Sequence, residues 1–217
     1  MLQIPGKSNL RPFRLFYGEN TLKQIRMNLE NITQLIKERR THPTRFFNDK
    51  EVPKELIKQL LENGNWAPNH KKTEPWRFVV ISGEGREKFV SEVKTELEEA
   101  QKNGADIPGD KVNKFALHFR KAPVAVAIIA NLDEEHRLPE WEEMAAVSMA
   151  VQNIWLSATA AGLSAFWATP PFISQLGSCL DLKPNQKSMG FLFLGYANRP
   201  FPANGREPIE DKITWKE

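Results

Sequence analysis

Three arginines and a hydroxyl group lie within seven residues of one another, as Arg39, Arg40, Thr41 and Arg45. Guanidinium groups hold a phosphate through paired hydrogen bonds, and their charge stabilises an anionic ring placed against them. This cluster is therefore a candidate anion site. The alternative is a solvated basic helix end, where the helix dipole favours cations.

A second candidate is the loop 66–76, which prolines bracket and in which His70 stands beside Asn69 and Lys71-Lys72. Histidine is the side chain whose charge changes near neutral pH, so it serves in many binding and proton-transfer sites. Composition alone leaves a functional and a structural role equally open for His70.

Other chemical groupings are weaker. The acidic segment 133–143 lacks the alternate-position spacing of a calcium loop, so a solvated loop and helix start is favoured over a metal or acid–base cluster. Cys179 has no histidine or lysine beside it, which predicts a small core residue rather than a nucleophile. Gly83-Glu84-Gly85 follows a strand, but Lys88 stands where a dinucleotide fingerprint needs glycine. We predict no metal site.

The composition limits the class of protein. A chain of 217 residues, 41% of them apolar, is long enough for one sizeable core, and a net charge of +3 gives nucleic-acid binding no support. A single cysteine fits a reducing compartment. Without a long apolar run or a signal-peptide pattern at the N-terminus, we expect a cytoplasmic protein that does not bind a membrane.

Hydrophobic periodicity predicts the elements that position these residues. Helices are expected within 27–40, 53–64, 86–103, 110–120, 144–162 and 172–182, and strands at 77–82, 122–132, 187–197 and within 164–171. The strand at 77–82 is expected to be buried, and the strand at 122–132, apolar on both faces, is expected to be central. Gly162 is the expected end of the long helix.

The domain organisation follows from this pattern. Residues 1–26 are interpreted as a loosely packed extension, 27–197 as one domain, and 198–217 as a C-terminal extension without a core of its own.

Six segments in a characteristic order carry a family resemblance. They are Arg39-Arg40-Thr41; Ala67-Pro68-Asn69-His70 with Pro75-Trp76-Arg77-Phe78; Ala122-Pro123; Pro139-x-Trp141-Glu142; Gly162 with Phe166-Trp167; and Gly190-Phe191-Leu192-Phe193-Leu194-Gly195. Together they resemble the FMN-dependent nitroreductase family, most closely its small bacterial members with an Arg-Arg-Ser loop and an A-P-x-H loop.

This resemblance implies an α+β fold with a central mixed, mostly antiparallel sheet flanked by helices. It implies a homodimer that binds FMN non-covalently at the subunit interface, and the tail 198–217 would embrace the partner subunit. It also implies a ping-pong cycle in which a hydride passes from NAD(P)H through flavin N5 to a nitroaromatic, a quinone or a similar acceptor. Because the flavin carries the chemistry, no side chain is assigned as catalytic.

The resemblance also assigns cofactor-binding residues. Arg39 and Arg40 would bind the phosphate and ribityl chain or the N1/O2 edge of the ring, and Thr41 would replace the family's serine. The A-P-x-H loop would line the site through Trp66, Asn69 and His70.

One residue and the length of one loop depart from the family's pattern. The family's Trp-Arg-Ser stretch is matched by Trp167, Ala168 and Thr169, so Ala168 would lack an arginine contact to the phosphate. Arg45 or Lys71-Lys72 are candidates to compensate, but the first loop is one residue longer than usual, which leaves Arg45 without an assigned contact. A flavin-binding protein with a specialised reaction or no turnover, and a domain that binds an acidic partner, stay open as alternatives.

Overall fold

Five α-helices and four strands make up the part of the chain that the computed structural model describes, residues 28–199, 201–202 and 205–217. The helices are α1 Leu29–Glu38, α2 Lys54–Asn65, α3 Gly85–Lys102, α4 Gly109–Lys121 and α5 Glu140–Ala160, and the strands are β1 Trp76–Ser82, β2 Val124–Asn131, β3 Ser164–Ala168 and β4 Gln186–Gly195. The predicted extension 1–26 lies outside the described residues.

Local sequence determines where the helices begin and end. The Asn28 side chain accepts a hydrogen bond from the Asn31 N–H at 2.9 Å and so caps α1. Pro53 and Pro139 stand immediately before α2 and α5, at a place where a missing N–H costs no helical hydrogen bond. Gly162 follows α5 in a left-handed conformation, with φ of +73°, which confirms it as the end of the long helix.

The sheet has the strand order β1-β2-β4-β3, and all three pairings are antiparallel. Helices α2 and α5 cover one face and α3 and α4 the other, so β2 is buried along nearly its whole length, as predicted for a central strand. The predicted α+β fold with a mostly antiparallel sheet is confirmed. Among the described residues, the parallel component is confined to a single bridge between Thr41 and Ala165.

Two local predictions are wrong. The strand at 77–82 is not fully buried, because β1 is an edge strand and Val79 and Val80 remain 38% and 42% exposed. The helix expected at 172–182 is a 3₁₀ turn, Ile173–Gln175, followed by hydrogen-bonded turns. There the Glu96 carboxylate accepts the backbone N–H groups of 178 and 179, which gives these groups a partner without a helix.

The acidic segment is also less solvated than expected. Glu143 is 3% exposed, and both of its carboxylate oxygens accept the backbone N–H of Asp133. This contact fastens the loop before α5 to the first turn of that helix.

One half-buried histidine links the first loop to α4. His118 Nδ1 lies 2.7 Å from the hydroxyl of the buried Thr44, and its ring packs between Phe166 and Phe193. Burial, with a smaller effect of Lys114, lowers the pKa of His118 to about 4. The imidazole is therefore neutral in the folded protein at pH 7.

We expect this histidine to make stability pH-dependent. As the pH is lowered from 6.5 to about 4, His118 is protonated in the unfolded chain but stays neutral in the folded protein. The free energy of unfolding therefore decreases as the pH is lowered through this window. The loss is on the order of 2 kcal/mol once partial exposure is allowed for. Urea unfolding at pH 7 and pH 4.5 measures it. His118→Gln should remove this slope and the exposed-site control His136→Gln should keep it; an unchanged slope in His118→Gln would contradict the assignment.

Candidate functional site

The first loop is held in place by a tryptophan of α5. Helix α1 ends at Glu38, and the Arg39 guanidinium lies 4.7 Å from the centre of the Trp155 ring. The Trp155 indole N–H donates to the backbone carbonyl of Arg40 at 3.2 Å. The ring therefore binds one arginine through its face and the neighbouring backbone through its edge.

Arg39 and Arg40 follow one another in this loop, and the positive charge of Arg206 also acts on Arg39. Burial, then the charges of Arg206 and Arg40, lower the pKa of Arg39. Arg40 donates to the carbonyls of Lys37 and of Arg39. In the described ranges none of the three arginines forms a salt bridge with a carboxylate. The result is a cluster of positive charge with no counter-charge, which fits an anion with more than one negative charge.

Arg206 is a candidate site residue that the sequence does not single out. It stands in a Pro- and Gly-rich tail without a core of its own. An arginine in such a tail does not by itself indicate that its charge acts on Arg39.

Thr41 joins this cluster to the edge of the sheet. Thr41 forms the parallel bridge to Ala165, and the next backbone N–H donates to the Ala165 carbonyl at 3.0 Å. Strand β3 continues from there to Trp167, whose indole N–H donates to the carbonyl of Met189 at 2.9 Å. Thr169 is exposed just beyond the strand.

Ala168 lies on the other face of the sheet. Trp167 packs against the α2–α5 side, where Trp155 and Arg39 are, whereas Ala168 packs against the α3–α4 side. The position at which the resemblance implies a lost arginine therefore does not face the Arg39 cluster of the same chain.

The A-P-x-H loop is fastened to the other end of α5. His70 Nδ1 lies 2.8 Å from a carboxylate oxygen of Glu142, in the first turn of that helix. The Asn69 side-chain oxygen accepts the backbone N–H of Glu74 at 3.1 Å. Trp66 caps α2 and is 80% exposed.

This loop has an unusual backbone. Lys71, Lys72 and Glu74 have φ of 51°, 55° and 43°, a left-handed conformation that costs residues with a Cβ roughly 1 kcal/mol or more each. Lys71 Nζ donates to the carbonyl of Arg137 at 3.0 Å, which helps to hold the turn. Such strain concentrates at functional sites, so it supports a role for the loop.

The predicted site residues thus form two groups in one chain. Glu142 and Trp155 are thirteen residues apart on α5, a separation of about 20 Å. Arg39, Arg40 and Thr41 lie with β3 near Trp155, whereas Asn69 and His70 lie near Glu142. The structure brings together the residues within each group but does not bring the two groups together.

Other candidate chemistry is weak. Cys179 Sγ lies 2.6 Å from a Glu96 oxygen, and burial, with this hydrogen bond, raises the pKa of Cys179 to about 12, which disfavours the thiolate. In the described part of the chain, no three His, Cys, Asp or Glu side chains are placed to share a metal ion. The helices seen there are too short or too polar to cross a membrane.

Gly190 fixes the contact between β4 and the site end of β3. It has φ of +102° and lies next to a bulge in β4, where Met189 is the extra residue opposite Ile128 and Ile129 of β2. A Cβ at this position would collide with the backbone carbonyl of Ala168 and come within 3.0 Å of the Thr169 hydroxyl oxygen.

Comparisons with known proteins agree with one another. The model of the nitroreductase family matches residues 36–196. The chain is 27% identical over 186 residues to the proposed NAD(P)H nitroreductase YfhC of Bacillus subtilis, which covers 84% of this chain and 93% of that protein. A nitroreductase-like family protein from Bacillus cereus superposes with a TM-score of 0.74 at 30% identity, covering 86% and 96%. A proposed nitroreductase from Desulfovibrio desulfuricans, solved in complex with FMN, shares the fold with a TM-score of 0.64 at 23% identity, covering 86% and 96%.

Substituting Gly190 tests the bulge. We expect Gly190→Ala to lower the free energy of unfolding by about 2 kcal/mol or more, because it adds backbone strain and a steric collision. Gly109→Ala is the matched control, since a Cβ there meets nothing within 4 Å. Denaturant titration of both variants measures the difference, and equal stability would show that β3 moves away at no cost.

Proposed function

This chain belongs to the nitroreductase family, and on that premise we propose that it is an FMN-dependent oxidoreductase with NAD(P)H as co-substrate. The observation that carries the proposal is the arginine cluster of the first loop: Arg39 lies over the Trp155 ring, Trp155 holds the Arg40 backbone, and neither arginine forms a salt bridge among the described residues. A phosphate monoester supplies about two negative charges, which is the counter-charge that this cluster lacks. The residues present therefore fit the phosphate of FMN.

Each residue of the cluster has a distinct part in binding. The Arg39 guanidinium lies over the Trp155 ring, and among the described residues its N–H groups donate no hydrogen bond to the protein, so they are available for phosphate oxygens. Arg206, in the C-terminal segment, adds a further positive charge that acts on Arg39, and Thr41 supplies a hydroxyl in the same loop. Arg40, held by backbone carbonyls, supplies positive charge that favours an anionic reduced ring.

The chemistry that FMN supplies when bound is hydride transfer from NAD(P)H to an acceptor such as a nitroaromatic or a quinone, in two half-reactions. The residues of this chain bind FMN and orient it. His70, held by Glu142, positions the A-P-x-H loop and need not move a proton.

The separation of the two groups supports a shared site. We assign the complete site to a homodimer in which the Arg39 loop of one subunit meets the His70 loop of its partner. Large apolar side chains are exposed on α1, α5 and the tail, which is typical of a surface that another chain covers. They are Leu29, Ile36, Trp141, Met149, Ile209 and Trp215.

The arginine pair can be tested directly. We expect Arg39→Ala with Arg40→Ala to weaken FMN binding at least about 100-fold, because two charge-assisted contacts are lost. The ratio of flavin to protein absorbance after gel filtration measures retention, and circular dichroism reports the fold. The exposed Arg120→Ala should retain FMN. A folded double variant that still holds FMN would overturn the assignment.

A spectrum of the wild-type protein separates the proposed function from its alternatives. Flavin bands that bleach on anaerobic addition of NADH or NADPH support an oxidoreductase. Bands that do not bleach favour a flavin-binding protein without this turnover. A protein that takes up no FMN even after loading favours a domain that binds an acidic partner.

Mixed dimers test the shared site. Neither Arg39→Ala/Arg40→Ala nor Asn69→Ala/His70→Ala should hold FMN well alone. When the two chains are co-expressed, a mixed dimer regains one intact site, so about a quarter of all sites should bind FMN. A chain that carries all four substitutions is the control and should bind none. No recovery in the mixture would show that both loops of one chain serve the same site.

A further inference from the structure

A cleft of about 320 Å³ opens where the end of the first loop meets the turn between β1 and α3 and the C-terminal end of α4. A cavity of this size accommodates a small molecule. Val124, at the start of β2, lines the cleft, whereas Thr41 joins β3, and β4 separates these two strands. The cleft is therefore a different place from the arginine cluster of the first loop.

Arg86 and Lys121 bring positive charge to this cleft. Arg86 is half-buried, and its guanidinium group is held firmly in place. Its Nε and Nη1 donate to the backbone carbonyls of Gly83, Phe119 and Ala122, at 3.1, 3.1 and 2.7 Å. Among the described residues the Nη2 group has no hydrogen-bond partner, and neither Arg86 nor Lys121 forms a salt bridge.

Asp49 and Glu51, at the end of the first loop, bring negative charge to the same cleft. Both side chains are exposed, and across the described ranges neither carboxylate forms a salt bridge. Arg120 also lines the cleft, but its guanidinium is already paired with Glu87 at 3.6 Å. Two cations and two carboxylates thus line one cavity without pairing with one another.

This balance of charges determines which molecules the cleft favours. An anion would be attracted by Arg86 but repelled by Asp49 and Glu51, and the opposite holds for a cation. A molecule that carries both charges gains charge-assisted hydrogen bonds at both of its ends. Val52 and Pro123 add apolar surface to the lining, which suits an aliphatic side chain.

We propose that the cleft binds a free amino acid with an aliphatic side chain. Arg86 and Lys121 hold its carboxylate, Asp49 and Glu51 hold its ammonium group, and the side chain lies against Val52. The inference is independent of the proposed function, because the arginine cluster contributes no group to the cleft.

Leucine and two of its analogues test this site. The analogue 4-methylpentanoate lacks the ammonium group, and 3-methylbutylamine lacks the carboxylate. By isothermal titration calorimetry on the purified protein, leucine should bind with a Kd below about 1 mM. Each analogue should bind at least about tenfold more weakly, because it loses the hydrogen bonds of one charged end and meets an unpaired charge of its own sign.

Variants of the two charged sides should respond in opposite ways. Asp49→Asn with Glu51→Gln should weaken leucine binding at least about tenfold but leave 4-methylpentanoate binding unchanged or tighter, because the repulsion is gone. Lys121→Gln should weaken both of these ligands by about three- to tenfold and leave 3-methylbutylamine unaffected. Lys58→Gln and Glu62→Gln are the matched controls, since both side chains are exposed on α2 and neither lines the cleft.

Three results would overturn the proposal. The first is the absence of leucine binding to the wild-type protein. The second is equal affinity for leucine and either analogue, which would show that the cleft does not require both charges. The third is an equal loss of all three compounds in the Asp49→Asn/Glu51→Gln variant, which would indicate an altered shape instead of a lost charge.

Discussion

The contact between Trp155 and the first loop is the interaction on which the rest of the site depends. Arginines at a loop would ordinarily extend into water and sample many conformations. Here the indole ring fixes the Arg39 guanidinium and the indole N–H fixes the Arg40 backbone. Because Trp155 is itself buried near the C-terminal end of α5, the loop takes its position from the core.

Helix α5 holds one loop of the candidate site at each of its two ends. Its buried side chains pack against α2 and the sheet, so it cannot slide or rotate without opening the core. One end holds His70 through Glu142, and the other end holds the arginine loop. This rigid helix keeps the two loops apart in one chain, so under the proposed function a second subunit is needed to complete the site.

The sequence predicts the elements well, since their hydrophobic periods are local properties. The central position of β2 and the end of α5 at Gly162 both follow from nearby residues. The errors involve long-range contacts. The burial of Glu143 depends on the Asp133 backbone, and the turns after Ile173 depend on a carboxylate of α3.

The candidate site shows the same difference between local patterns, which the sequence reveals, and long-range contacts, which it does not. Motif spacing predicts roles for Arg39, Arg40 and the A-P-x-H loop, but it does not indicate the charge of Arg206 that acts on Arg39 or the tryptophan that holds the loop. Spacing also gave no account of the strand face on which Ala168 lies, because that requires the register between β3 and β4. Residues that act through their own segment are predictable, whereas those that act through tertiary contacts are not.

The repulsion among Arg39, Arg40 and Arg206 has a consequence for the life of the protein in a cell. Without an anion, the folded chain bears the cost of bringing these charges together, and an ion that binds only the folded state removes that cost. Proteases degrade the unfolded population, so a chain without cofactor is degraded faster than a loaded one. Under the proposed function, the amount of this protein follows the supply of flavin even when its synthesis is constant.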